Sequence, residues 1–185
     1  MLSPQERLLD VAGRLFYAEG IHAVGIDRVI AEASVAKATL YAHFQGKADL
    51  VAAYLERESL AWVDEAERRI EGQAPGADAL GALFEMLYER SRAVGYRGCP
   101  FVNAAAEFPG PGPVVEQIAG HRARQRVIIS IAVGPASSTP ETVDAIFALF
   151  VGSMSAAHLD QRPSVILHAS AAATRLLDRD DGDRR

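Results

Sequence analysis

The chain has a single cysteine, Cys99, in 185 residues, so no internal disulfide can form and the fold has to rest on a buried core. The length suffices for that, since a chain of this size buries about 70% of the surface its unfolded form exposes. The N-terminus lacks the basic start and continuous apolar stretch of a secretory signal, so no export is expected. Long hydrophobic runs are also missing. The longest, 127–133 and 145–151, fall far short of the roughly 20 residues of a membrane helix, and Ser130 interrupts the first. A cytoplasmic protein without membrane contact is expected. No short β-branched run alternates with polar residues between turn signals, which excludes a sheet protein. HExxH, Cys-x-x-Cys, P-loop and nucleophile-elbow motifs are absent too. The one Glu-x-x-His, Glu19 to His22, straddles the helix-ending Gly20, and a di-metal bundle needs two such motifs. A helical metal enzyme is therefore set aside, and neither cofactor nor metal is expected.

Positive charge is in short supply. With 19 basic against 24 acidic residues the formal charge is -5 and the isoelectric point lies near 5.5. Taken as a bulk property, that balance opposes nucleic acid and anionic membrane. Its distribution matters more: residues 33–48 hold Lys37 and Lys47 and no acid.

What the sequence does have is helical periodicity. Leu8, Leu9, Ala12, Leu15 and Phe16 recur at steps of three and four, and Ser3, Pro4 and Glu6 supply a start signal, so a helix is predicted over 4–19. Ile26, Val29, Ile30 and Ala33 mark a short second helix over 26–33, and Leu40 with Phe44 a third over 37–43. A long helix follows over 47–71, then helices over 77–94, 100–108, 112–133, 140–159 and 163–178, separated by glycine- and proline-rich breaks. The run 64–69 is expected to be a solvated face of the long helix, and the arginines of 121–126 another, with a second basic patch the alternative. The expected fold class is all-α: a three-helix module over 1–46, a larger helical domain over 47–178, and a charged, disordered tail over 179–185.

Two short helices joined by a three-residue turn form the layout of a helix-turn-helix unit. The exposed positions of the third helix, Lys37, Thr39, Tyr41 and His43, are hydrogen-bond donors without a carboxylate among them, suited to phosphate oxygens. Lys47 opens the next helix, where free amides and the macrodipole add to its pull on an anion.

The stretch GIDRVIAEASVAKATLYAHFQGK, residues 25–47, resembles the DNA-binding region of the TetR family of transcriptional regulators, above all in Thr39-Leu40-Tyr41, His43-Phe44 and Lys47. The resemblance implies that Ala36 and Lys37 face the major groove and that Thr39, Tyr41, His43 and Lys47 grip the backbone, with Gly25 and Arg28 at the same edge. Gly25 and Ala36 stand where many members carry a hydroxyl residue, so two side-chain caps are missing. Ser34 and Ala38 replace frequent glycines.

The rest of the chain resembles the family in general layout. Its apolar helices suit a small-molecule pocket with few polar groups. Asn103, Glu107 and His121 are the polar candidates, and Trp62, Phe84, Tyr88, Phe101, Phe108, Phe147 and Met154 the apolar ones, although core packing accounts for most such residues. Cys99, between Gly98 and Pro100 and near Arg97, is a thinkable redox sensor, with an inert residue beside a turn the plainer reading. The helices 140–159 and 163–178 are rich in small residues, and the resemblance implies that they pair with their copies in a homodimer. The expected function is a ligand-responsive repressor that binds a palindromic operator and is released by an apolar small molecule. The alternative is a small-molecule-binding helical protein without DNA binding.

Overall fold

The computed structural model describes residues 2–182, with side chains through Leu177. Its helices are α1 (Pro4–Glu19), α2 (Ile26–Glu32), α3 (Lys37–His43), α4 (Lys47–Ile70), α5 (Ala77–Ser91), α6 (Pro100–Glu107), α7 (Pro113–Val133), α8 (Pro140–Leu159) and α9 (Val165–Gly182). No strand occurs among the described residues. Local chemistry explains most boundaries. Ser3 caps α1 through its hydroxyl, which accepts the Glu6 N–H at 3.2 Å, while the Glu6 carboxylate accepts the Ser3 N–H at 2.6 Å. Thr139 caps α8 in the same way, accepting the Thr142 N–H, with Pro140 next in line.

Three ends differ from expectation by more than one residue. Helix α5 stops at Ser91, because the chain tightens into i to i+3 bonds, Arg92 to Glu89 and Ala93 to Arg90, ahead of Gly95 at φ +80°. Helix α9 starts two residues late, after a similar tight turn at 162–165. It then continues to Gly182, because nothing in 178–181 breaks a helix. The expected disordered tail over 179–185 is thus corrected for 179–182, which are helical; 183–185 lie outside the described residues.

The chain divides into two compact units. Unit 1 comprises residues 1–60 and 100–121; unit 2 comprises 61–99 and 122–185. The unit that contains α1 to α3 therefore also takes in the first part of α4, all of α6 and the start of α7.

The core of unit 1 is built from Leu8, Leu15, Val24, Val29, Leu40, Leu50 and Leu55, all at most 1% exposed. Phe16 and Tyr54 meet edge to face at 6.0 Å. Gly13 lets α4 approach α1, since a Cβ there would sit 3.1 Å from Tyr54 and Arg57. Arg57 uses that access to donate to the Leu9 carbonyl at 2.9 Å and to Asp10 at 2.5 Å.

In unit 2, α8 packs along α9, and α5 packs on both. Phe150 forms its centre, with Phe84 at 5.3 Å and Trp62 at 6.1 Å, both edge to face. Gly134, at φ +80°, closes the α7–α8 turn against Pro75, where a Cβ would come within 2.8 Å. Helix α8 is apolar along most of its length, although polar residues interrupt it. Among the described helices it alone is long and apolar enough, by length and composition, to cross a membrane, and 44% of that stretch is buried inside the chain.

Candidate nucleic-acid interface

The turn between α2 and α3 is a Schellman motif. The Ser34 N–H reaches the Ala31 carbonyl and the Val35 N–H the Ile30 carbonyl, at 3.1 and 3.3 Å, which ends α2 by consuming its free carbonyls. Ser34 takes the left-handed position at φ +51°, where glycine is normally favoured. Neither following helix start has a side-chain cap: Gly25 precedes α2 and Ala36 precedes α3, both with extended backbones. Their carbonyls still accept the first-turn amides of Arg28 and Thr39.

Leu40 and Phe44 are buried, and the other residues of α3 reach solvent. Ala36, Lys37, Tyr41 and His43 are exposed there and Thr39 is half-buried, with Gly25 and Arg28 exposed on the neighbouring helix. Lys37 and Tyr41, one turn apart, share a face. These expected contact residues do lie together in unit 1.

Each cation of this group is already engaged within the chain. Arg28 makes a bidentate pair with Glu19 at 2.6 and 2.8 Å and bonds Glu32 at 2.9 Å, and Arg14 bonds the other Glu32 oxygen at 2.6 Å. These hydrogen bonds hold Glu19 and Glu32 below the usual carboxylate range: Arg28 acts on Glu19, and Arg14, then Arg28, on Glu32. Lys37 Nζ lies 2.9 Å from Asp27 Oδ1, a bond that raises the lysine pKa. Lys47 reaches the His22 carbonyl at 3.5 Å, and burial lowers its pKa against the opposing charge of Glu107. The acidic partners escaped the sequence reading because only Arg28 and Glu32, four apart on α2, are neighbours by helical spacing.

The residues expected to line a pocket fall into two groups. In unit 1, His121 is 2% exposed, stacks flat on Phe101 at 3.5 Å, and has its Nδ1 3.0 Å from Ser59 Oγ. Ser59 was missed, although it sits on the buried stripe of α4 between Leu55 and Trp62 and could have been found by spacing. Asn103 is half-buried. Glu107 accepts the backbone N–H groups of Ile21 at 2.9 Å and His22 at 2.5 Å, and Phe108 stacks on the His22 ring at 5.4 Å. The Glu107 carboxylate thus serves the α1–α2 loop.

In unit 2, Trp62, Phe84, Phe147 and Met154 are buried and Tyr88 is half-buried. The Met154 carbonyl accepts the Tyr96 hydroxyl at 3.3 Å. Arg122 and Arg126 lie over the Phe147 ring, 4.6 and 3.9 Å from its centre, and Arg92 over that of Tyr88. The basic run of 121–126 is therefore only partly a solvated face. Cys99 is buried.

A family model described as bacterial regulatory proteins of the tetR family matches residues 8–54. No curated protein matches the chain. Among solved structures, a TetR-family transcriptional regulator from Streptomyces coelicolor is 37% identical, with 93% of this chain and 94% of that one covered, at a TM-score of 0.78. A putative TetR transcriptional regulator from Streptomyces avermitilis shares the fold at a TM-score of 0.86 and 24% identity, covering 97% and 99% of the two chains. The reduced form of Escherichia coli NemR does so at 0.83 and 18%, covering 93% and 95%. With its helix-turn-helix matched by the family model and nearly its whole length by a relative of 37% identity, the chain belongs to the TetR family of transcriptional regulators.

Proposed function

We propose that the protein is a homodimeric repressor whose module over 1–46 binds a near-palindromic operator in the cytoplasm, and whose domain over 47–178 binds an apolar small molecule that releases it. The observation that carries this reading is the outward face of α3, which presents Lys37, Tyr41 and His43 beside Thr39 and contains no acid. Lys37 and Ala36 enter the major groove; Thr39, Tyr41, His43 and Lys47 hold phosphates, with Gly25 and Arg28 at the edge. The chain's own carboxylates compensate its cations, so one module alone binds weakly. Two modules about 34–36 Å apart then act together.

Dimerisation through α8 and α9 is supported by their outward residues. Ala145, Ala148 and Gly152 on α8 and Ala171 on α9 are exposed and small, which permits close helix approach, and Leu159 and Leu167 are exposed and apolar. A Cβ added at Gly152 would meet nothing within 4 Å in its own chain. A second copy also accounts for the high hydropathy of α8, whose apolar surface is then covered from two sides.

Effector binding works by population shift. A ligand that moves the dimer from mostly competent to mostly incompetent has to prefer the second state by around 5.5 kcal/mol. The group around His121 in unit 1 and the group around Phe147 in unit 2 are its two separate candidate sites, and Glu107 passes displacement of α6 to the α1–α2 loop. No catalytic role is assigned to any residue.

The test is a titration of purified protein against labelled fragments from upstream of its own gene at several salt concentrations. Saturable binding that is lost in Lys37→Ala and weakened in Tyr41→Phe is expected. Binding to no fragment, or binding indifferent to both substitutions, overturns the proposal.

A further inference from the structure

The Lys37–Asp27 pair joins the first turn of α2 to the first residue of α3, with Nζ and Oδ1 2.9 Å apart and the two side chains 61% and 77% exposed. An exposed pair of this kind contributes little to stability. Its placement is more telling. Lys37 is the only lysine or arginine on α3, and Asp27 sets a carboxylate beside it on a face turned to solvent. An acid there opposes every phosphate that approaches.

An ammonium group has three donors, and Asp27 takes one. The remaining two still reach base-edge acceptors such as guanine O6 and N7. Binding to unrelated DNA is a different case, because it draws almost all its energy from neutralised phosphates and released counterions. A lysine already neutralised by its own carboxylate adds nearly nothing to that term. The same bond restrains a long, rotamer-rich side chain, so less freedom is left to lose when the ammonium binds.

We propose that Asp27 is a positioning and specificity residue: it holds the Lys37 ammonium for a base edge while cancelling its pull on phosphate, and so depresses binding to unrelated DNA more than to operator. This rests on the DNA-binding function proposed above. The other basic groups at this edge do not share the arrangement. Arg28 is fixed by three bonds to two glutamates, and Lys47 turns toward the His22 carbonyl.

The experiment begins with a duplex enriched from a random library by the wild-type protein, and a scrambled duplex of equal composition. Asp27→Asn, Asp27→Glu, Lys37→Gln and the double variant of Asp27→Asn with Lys37→Gln are titrated on both by fluorescence anisotropy over a salt series, after a circular dichroism check of folding. In Asp27→Asn, affinity for the scrambled duplex is expected to rise about fivefold at 0.15 M salt, with a salt slope steeper by about 1.8, the value of one added phosphate contact in each module of the dimer. Affinity for the selected duplex stays level or falls. Asp27→Glu restores the discrimination, and the Asn substitution does nothing in the Lys37→Gln background. A parallel rise on both duplexes, or no change on either, overturns the role of Asp27 while leaving the DNA-binding function standing. Failure of the wild-type protein to enrich any duplex overturns that function and this inference with it.

Discussion

The carboxylate of Glu107, the last residue of α6, accepts the backbone N–H of His22 at 2.5 Å, and its other oxygen takes the neighbouring Ile21 N–H. The His22 ring adds to the joint, with Nδ1 3.3 Å from Glu107 and its face on Phe108. One side chain thereby satisfies two consecutive amides of the α1–α2 loop, just after Gly20 has turned the chain at φ +94°.

Replacing Glu107 by Ala is expected to destabilise the protein by about 1–3 kcal/mol, because it removes a charged acceptor from two backbone donors. Glu107→Gln keeps one good acceptor and should lose less. Urea unfolding followed by circular dichroism checks the order; equal midpoints for all three proteins would contradict it.

Ala36→Ser supplies the missing cap of α3 on a backbone already at φ -72° and ψ 148°, and should stabilise by about 1 kcal/mol. Ser34→Gly relieves the left-handed residue of the preceding turn, for a gain of about 1 kcal/mol before the greater chain entropy of glycine is set against it. Thermal melting of both variants measures the gains, and a lowered Tm in Ala36→Ser would count against the capping account.

Gly152→Leu places a branched side chain where the isolated chain has open space. The subunit should keep its helical spectrum, while sedimentation shows a shift from dimer to monomer and operator affinity drops steeply. An intact dimer would move the interface away from this face of α8.

The acid limb of stability should reflect Glu19 and Glu32. Both are held below their ordinary value of 4.5, Glu19 chiefly by Arg28 and Glu32 chiefly by Arg14. A carboxylate depressed in the folded state stabilises fully above its unfolded pKa and loses that contribution as pH falls through its folded value. The Tm difference between wild type and Glu32→Gln should thus be flat from about pH 8 to 5 and shrink below about 4.5. A difference that changes between pH 5 and 8 would refute the assignment.

Much of the fold was legible because prolines and glycines punctuate it. Pro4, Pro100, Pro113 and Pro140 each open a helix, and each breakpoint read from composition lies between two observed helices. The helix-turn-helix was legible for a further reason: the apolar Leu40 and Phe44 go inward, which leaves the polar Lys37, Tyr41 and His43 to the surface. The left-handed Ser34 was hidden, because a serine carries no signal for positive φ. The continuation of α9 past 178 was hidden too, because a charged run reads equally well as a tail.

By itself the sequence determined the all-helical class, the position of the recognition helix and the donors it exposes, since these follow from periodicity and turn chemistry within a few residues of one another. Tertiary structure decided the partners. Asp27 meets Lys37 across a turn, Glu19 meets Arg28 across a loop, Ser59 meets His121 across 62 positions, and Glu107 reaches back 85 positions to His22. No local spacing encodes such pairs, because they depend on how helices pack. The net acidity that seemed to oppose DNA is, at the edge proposed to bind it, a set of carboxylates each set against a particular cation.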